Sequence, residues 1–350
     1  MKKIAYIELD THAEIAGNFM DLMRDSKVFE VDYYFSERVI KRIGQHYCNI
    51  HLSESTELLN QLNGKKYDLI IIGTVHRYFN LFNEITEKYN TSVIVHNLNF
   101  PKMSRFQLFK NIFKKDSKYR LKLWLKEDLL AAPEVFKKAK NLLVLDQSLV
   151  RDHLHYLPVF FNQHQVNNHS NIFTIVIPGA VSQQRRDYKK VLQELTNLQR
   201  LDSERLVQVI FLGKSHGKEL KWLKSFENEK SDIISIQYFT EKVPQNTFNE
   251  WMNKAHVLWC PIQNETEFFS NKELYGETKM SGNIGDAIKY GKVAFFPKNY
   301  PSDFEFIITE KGNSIRDIFD FKDKNTYDFQ NEFSKKKVVA EIEKVLESLT

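Results

Sequence analysis

Short apolar runs recur along this chain, and they constrain its fold more than any other feature. KIAYIEL (3–9), FEVDYYF (29–35), YDLIIIG (67–73), TSVIVHN (91–97) and NLLVLD (141–146) are each bounded by polar or turn residues. Segments with helical i, i+3, i+4 apolar spacing lie between them, such as AGNFMDLMRD (16–25), ESTELLNQLN (54–63) and the stretch 80–89. Strands that are apolar on both sides, alternating with amphipathic helices, predict a parallel sheet covered on both faces.

The grammar restarts after residue 171. NIFTIVIPG (171–179), LVQVIFLG (206–213), IISIQYF (233–239), AHVLWCPI (255–262) and KVAFFP (292–297) read as strands. YKKVLQELTNLQR (188–200), GKELKWLKSFE (217–227) and QNTFNEWMNKA (245–255) read as helices. Between the halves, YLPVFFNQHQVNNHSN (156–171) is polar and aperiodic, a linker with the boundary near 160–171. The expected organisation is therefore α/β: two tandem Rossmann-like, doubly wound domains at 1–165 and 166–335, and a C-terminal amphipathic helix at 336–350. A chain of 350 residues exceeds one ordinary core, which agrees with two domains. Ligands in such sheets sit outside the carboxyl ends of the strands, so two facing domains are expected to frame a cleft.

Composition excludes several classes. No segment approaches the roughly 20 apolar residues of a membrane-spanning helix. The start, MKKIAYIELDTHAEIAG, has no apolar region of the kind a secretion signal carries and reads as a first strand. Cys48 and Cys260 are the only cysteines, so a disulfide framework or a structural zinc site is not expected. The expected location is cytoplasmic.

The strand ends of the second half carry anion-binding chemistry. IPGAVSQQRRDY places Gly179 at a tight turn and Arg185 and Arg186 before a helix; FLGKSHGKEL places Gly213 and Lys214 likewise. YGETKMSGNIGDAIKYGKVAFFP (275–297) reads as loop, short helix, glycine and buried strand, with Tyr275, Lys279, Ser281 and Gly282 before or at the helix entrance and Asp286 within the helix. Helix N-termini bind phosphate, glycines permit close approach, and Lys, Arg and Ser add charge-assisted donors. These loops read as a diphosphate cradle, and equally they are where ordinary turns place Gly and Ser. No GxxxxGK[ST] or GxGxxG motif accompanies them.

Together with YFTEKVPQNTFNEWMNKAHVLWCPI (238–262) and the VIVHNLNF stretch of the first half, these segments resemble GT-B-fold glycosyltransferases of bacterial polysaccharide and glycoconjugate pathways. The resemblance implies a second domain that holds a nucleotide diphospho-sugar donor and a first domain that holds a glycan or polyprenyl-linked glycan acceptor. It implies that Gly179 and Arg186 lie near the phosphates, that Lys279, Ser281 and Gly282 hold the diphosphate, and that Asp286 reaches the ribose. Retaining members of the fold carry Glu, seven residues, Glu at a fixed distance before a glycine turn. Glu265 and Glu273 match the spacing, but Glu273 lies far from Gly291; the position five before Gly291 is Asp286, and eight before that stands Thr278. The spacing is taken as coincidence, and the reading leans to inverting transfer.

Inverting transfer needs a base for the acceptor hydroxyl. LDTHAEIAG places Asp10, His12 and Glu14 after the first strand, with His12 as base and Asp10 or Glu14 as its orienting partner; the same residues also fit a helix cap with Asp10 or Thr11 at the N-cap and Glu14 closing a capping box. His76, Arg77, His96 and Asn97 also end strands and are expected to bind acceptor or position loops. No DxD motif is present, so no metal or cofactor is expected beyond the donor substrate; Lys, Arg and helix dipoles would stabilise the leaving diphosphate.

Residues 102–126, KMSRFQLFKNIFKKDSKYRLKLWLK, hold nine Lys/Arg, one acidic residue and five interleaved Phe, Tyr or Trp. The segment reads as a peripheral contact with an anionic membrane or as a solvated helix face with its aromatics turned inward; nucleic acid is the least favoured partner. A nucleotide-sugar epimerase of the same fold and a non-catalytic nucleotide-sugar-binding module are the alternatives to a transferase.

Overall fold

A computed structural model describes residues 1–44, 49–163, 172–199, 206–229, 231, 233–312, 314–319, 321 and 327–350 of the protein. Its internal contacts divide it into two compact units. The first comprises Met1–Phe161, Glu267–Met280 and Lys335–Thr350; the second comprises Asn162–Thr266 and Ser281–Ser334. Residues 164–171 of the expected linker lie outside the described residues, as do the 165/166 boundary and Cys48.

The first unit is built on a seven-stranded parallel sheet. Its strands are β1 (Lys2–Glu8), β2 (Phe29–Phe35), β3 (Ile50–Leu52), β4 (Leu69–Ile72), β5 (Thr91–Ile94), β6 (Asn141–Val144) and β7 (Leu154–Tyr156), in the order β3-β2-β1-β4-β5-β6-β7. β1 pairs in register with β2 from Lys2–Phe29 to Glu8–Phe35 and with β4 from Ile4–Leu69 to Ile7–Ile72. All four residues of β4 and of β5 are buried, as strands covered on both faces require. The direction of winding reverses between β1 and β4, which makes their carboxyl ends the switch point of this sheet.

The second unit repeats the plan with six parallel strands: β8 (Phe173–Pro178), β9 (Val207–Lys214), β10 (Ile234–Phe239), β11 (Val257–Trp259), β14 (Ala294–Phe296) and β15 (Ile307–Thr309). The order is β10-β9-β8-β11-β14-β15, so the switch point lies between β8 and β11. Two further strands, β12 (Glu265–Phe268) and β13 (Asn271–Leu274), form a separate hairpin. The expected α/β class with two Rossmann-like sheets is the one observed.

Three differences from the sequence reading have clear causes. β3, β7 and β15 are edge or near-edge strands of three residues, too short to show periodicity. The segment 54–63 yields only the helix Leu58–Leu62. Most consequential, Glu267–Met280, expected in the second domain, has its contacts within the first unit. Phe268, Phe269 and Met280 pack on that unit's apolar core, and Leu98 N–H donates to the Thr278 carbonyl at 2.8 Å. The hairpin tip, Phe269–Ser270, has φ of 50° and 56°, a left-handed turn made without glycine. It is held by Arg120, a buried cation whose Nη1 donates to Ser270 Oγ at 2.8 Å and to the Asn111 carbonyl at 2.6 Å. The tail helix Lys335–Leu349 also belongs to the first unit, through Lys335–Asp25 at 2.7 Å and a Ser26–Glu343 hydrogen bond of 2.6 Å.

Candidate active site

The carboxyl ends of β1, β4 and β5 each deliver a histidine of the first unit. His12 follows β1, His76 follows β4 and His96 follows β5. His12 stacks on His96 with ring centroids 3.8 Å apart and 13° between planes, and His76 lies edge-on to both at 5.9 and 5.8 Å. Burial pushes all three towards the neutral form. His12 falls to about 4, by desolvation first and by the nearby Lys279 charge second; His76 and His96 fall well below the usual histidine range, again chiefly by desolvation.

Hydrogen bonds fix which nitrogen carries the proton in His96 and His76. His96 Nε2 lies 2.8 Å from the Gly73 carbonyl, which can only accept, so that nitrogen is protonated. Lys279 Nζ can only donate, and it lies 2.5 Å from Asn97 Oδ1. This sets the Asn97 amide, whose Nδ2 then donates to His76 Nε2 at 3.4 Å. A lysine, an amide and an imidazole thus form one directional chain.

Beneath them lies Glu8, the last residue of β1 and wholly buried. Its Oε2 accepts from Thr74 Oγ1 at 2.6 Å, and its Oε1 accepts from the N–H groups of Asp10 at 2.9 Å and Thr11 at 3.3 Å. The carboxylate therefore ties the loop after β1 to the loop after β4. Desolvation is the largest influence on it and lifts its pKa to about 7. Gly73 makes room for it: a Cβ there would stand 2.7 Å from Glu8 Oε2 and 2.9 Å from Tyr6 Oη. At the outer edge Glu127 accepts from Arg77 Nη2 and from Tyr78 N–H, both at 2.7 Å.

The expected capping box does not form. His12 itself is the N-cap of the helix Ala13–Met23 and makes no side-chain cap bond, and Glu8, not a helix residue, takes the Asp10 and Thr11 N–H groups. The ring partner of His12 is His96; the Asp10 carboxylate lies 3.8 Å from Arg38, and Glu14 is exposed on the first helical turn.

The residues expected to hold a diphosphate fall into two groups. In the second unit, Gly179 follows β8 with φ 101° beneath Arg186, whose Nη2 would stand 2.5 Å from a Cβ at that position. Arg186 Nη2 donates to Asn283 Oδ1 at 3.1 Å, and Asn283 Nδ2 donates to Asp286 Oδ2 at 3.0 Å. Ser281 is the N-cap of the helix Gly282–Tyr290, accepting from Asn283 N–H, and Gly282 is exposed at its first turn. Gly213 lies so close to the turn after β8 that a Cβ would be 2.1 Å from the Gly179 carbonyl oxygen. Gly179, Arg186, Gly213, Ser281 and Gly282 therefore share the switch-point end of this sheet, Asp286 standing one turn into the helix. Arg185 is exposed, and Lys214 lies 3.7 Å from Glu241. In the first unit Tyr275 bridges to Lys279 across a turn at Gly276, and Lys279 joins Asn97.

Sequence reasoning missed Glu8, Thr74, Asn283 and the Lys279–Asn97 link. A carboxylate ending an otherwise apolar strand, Ile7-Glu8-Leu9, was the available signal for the first. Glu273 is also wholly buried, accepting from Asn99 N–H at 3.1 Å, with burial raising its pKa. Among the described residues no group of three or more His, Cys, Asp or Glu is placed to hold a metal ion.

No known protein-family model matches the chain, and no curated protein matches it. Solved structures do. The chain aligns over 99% of its length with Anabaena HepE in complex with UDP (TM-score 0.61, 11% identity, 100% of that chain). It aligns to the same extent with the lipopolysaccharide outer core galactosyltransferase WaaB (TM-score 0.58, 11% identity, 100% of that chain). The UDP-GlcNAc 2-epimerase of Neisseria meningitidis, bound to UDP-GlcNAc, is similar over 99% of this chain and 100% of its own (TM-score 0.55, 9% identity). The chain has the GT-B fold. At these identities the fold is what is shared, and it hosts more than one chemistry.

Proposed function

We propose that the protein is a glycosyltransferase that moves a sugar from a nucleotide diphospho-sugar to a hydroxyl of a glycan or lipid-linked glycan, by inversion. The observation that carries this reading is His12: a neutral imidazole at the switch point of its sheet, beside an ammonium group and above a buried carboxylate that fixes its loop. A neutral imidazole has a lone pair for the acceptor proton. Its low basicity is partly due to Lys279, and an anionic group bound beside Lys279 offsets that charge and makes His12 a stronger base. In the second unit, Arg186 and the N-terminus of the helix Gly282–Tyr290 are the natural diphosphate contacts, supplying N–H donors and positive potential without a metal. Asp286, near that end, is the candidate for the ribose hydroxyls. The acceptor side is proposed to work at an anionic membrane surface on the cytoplasmic face, because Phe106 (75% exposed), Phe113 (57%) and Leu125 (74%) stand among exposed lysines of the helices Arg105–Ile112 and Ser117–Glu127.

Thermal-shift measurements with UDP, GDP, dTDP and CMP, on wild type and on Arg186→Ala, test the donor half. One nucleotide should raise the melting temperature of wild type by several degrees, and Arg186→Ala should remove the shift. No shift from any nucleotide overturns the reading. Incubating the bound nucleotide's sugar conjugates without acceptor then separates the fold's other chemistry, since an epimerase converts the free donor and an inverting transferase does not.

A further inference from the structure

The first unit contains a cavity of about 710 Å³ that the residues discussed so far do not explain. Its floor is apolar, made by Val95, Leu98, Phe136, Leu142 and Leu154. Its rim is cationic: five Lys/Arg side chains, Lys137, Lys140 and Arg151 among them, face three carboxylates. Lys138, beside Lys137, is engaged with Glu87 at 2.7 Å, whereas Lys137 and Lys140 have no ion-pair partner among the described residues. Arg151 reaches the Glu277 carbonyl at 3.4 Å, at the edge of hydrogen bonding.

An apolar trough whose rim carries more cations than carboxylates fits an apolar chain ending in an anion. The volume is that of an ordinary ligand pocket and takes a single chain of about ten carbons with its headgroup. Two walls connect the cavity to the histidine cluster. Leu98 follows Asn97 in sequence and Thr278 precedes Lys279, and the Leu98 N–H to Thr278 carbonyl bond of 2.8 Å joins the two walls. Lys102 and Arg105, also on the rim, open the helix Arg105–Ile112 that carries the exposed Phe106.

We propose that this cavity binds the phosphate and the first carbons of a single-chain lipid phosphate, the carrier portion of the acceptor. The proposal rests on the glycosyl-transfer reading and names the chemistry of its acceptor. The lysine rim neutralises the phosphate, the floor takes the chain, and the step from Leu98 to Asn97 sets the distance from the lipid head to the histidines. A bulk bilayer lipid, with two chains and a phosphodiester, satisfies neither the volume nor the placement beside the cluster.

The test is isothermal titration of the full chain with decyl phosphate below its micelle concentration, against decanol, inorganic phosphate and dihexanoyl phosphatidylglycerol. Decyl phosphate should bind wild type at least tenfold more tightly than each of the others. The double substitution Lys137→Glu/Lys140→Glu, on exposed side chains, should weaken it at least tenfold while leaving the melting temperature in place. Leu98→Trp, which fills the floor, should weaken it independently of rim charge. Equal binding of decanol, or a double variant that binds like wild type, overturns the phosphate site. Equal binding of phosphatidylglycerol overturns the assignment to the acceptor. The nucleotide thermal shift reports separately on transfer: decyl phosphate binding without any nucleotide shift leaves the cavity standing and removes its role in transfer.

Discussion

At the scale of single residues, the site depends on who is charged. Lys279 lowers the pKa of His12, second only to burial. Lys279→Met keeps the length of the side chain and removes the charge, so the His12 pKa should rise above about 4. Histidine C–H NMR titration would register this as an upward shift, and an unchanged midpoint would mean burial alone holds His12 neutral. The same variant leaves Asn97 Oδ1 without its ammonium donor and frees the amide to turn. Asp10, His12, His76 and His96 were legible as strand-end residues because polar side chains right after an apolar run stand at a sheet edge. Their roles were less legible. Tautomers, stacking and the Glu8 anchor are products of through-space packing between segments 21 or more residues apart, 66 in the Thr74–Glu8 bond, and no local pattern encodes them.

At the scale of elements, close approach decides more than propensity. The turn after β8 passes over Gly213 of β9 at a distance that excludes any side chain, and the obstruction is backbone. Gly213→Ala should therefore destabilise the protein by about 3 kcal/mol, measured by urea denaturation. A cost below about 0.5 kcal/mol would show that this turn yields readily. Arg120→Met should release the Phe269–Ser270 tip, read as faster amide exchange across 265–274 with the rest of the first unit unchanged. The long strands and helices were readable because their apolar period is regular. The β12–β13 hairpin was not, since NETEFFSNKEL (264–274) has no turn dipeptide and its tip adopts positive φ at Phe and Ser.

For the whole molecule, titration and surface chemistry set the conditions of use. Three histidines are depressed in the folded state, a stabilising effect complete above the ordinary histidine pKa of 6.5 and lost as pH falls towards 4. Glu8 works in the opposite sense: raised from 4.5 to about 7, it contributes most below 4.5 and loses that contribution as pH rises through 7. Each group is worth about 1.4 kcal/mol per pH unit inside its window, and Asp10 and Glu273, raised by burial as Glu8 is, act with Glu8 against the histidines. His76→Gln removes one histidine contribution and should lower the slope of stability against pH between 4.5 and 6.5 relative to wild type; an unchanged slope would contradict the neutral cluster. The aromatic and basic helices predict co-sedimentation with phosphatidylglycerol vesicles that Phe106→Ser/Phe113→Ser abolishes without lowering the melting temperature. The binding should weaken with salt. No helix among the described residues is long and apolar enough to cross a membrane.

The placement of Glu267–Met280 and Lys335–Thr350 has a consequence for how the protein can be dissected. The backbone passes from one unit to the other four times, at 161/162, 266/267, 280/281 and 334/335. Neither unit is therefore a contiguous stretch of gene. A fragment ending at 161 lacks the phenylalanines that cover Phe100 and His76, at 4.9 and 4.5 Å from Phe268, and it lacks Lys279 as well. Cutting the chain between 163 and 172 leaves Glu267–Met280 and Lys335–Thr350 of the first unit on the C-terminal piece. Exchanging the second half with that of another protein of this fold would replace Glu267–Met280 too, so the histidine cluster would lose Phe268 and Lys279 along with the exchanged sheet.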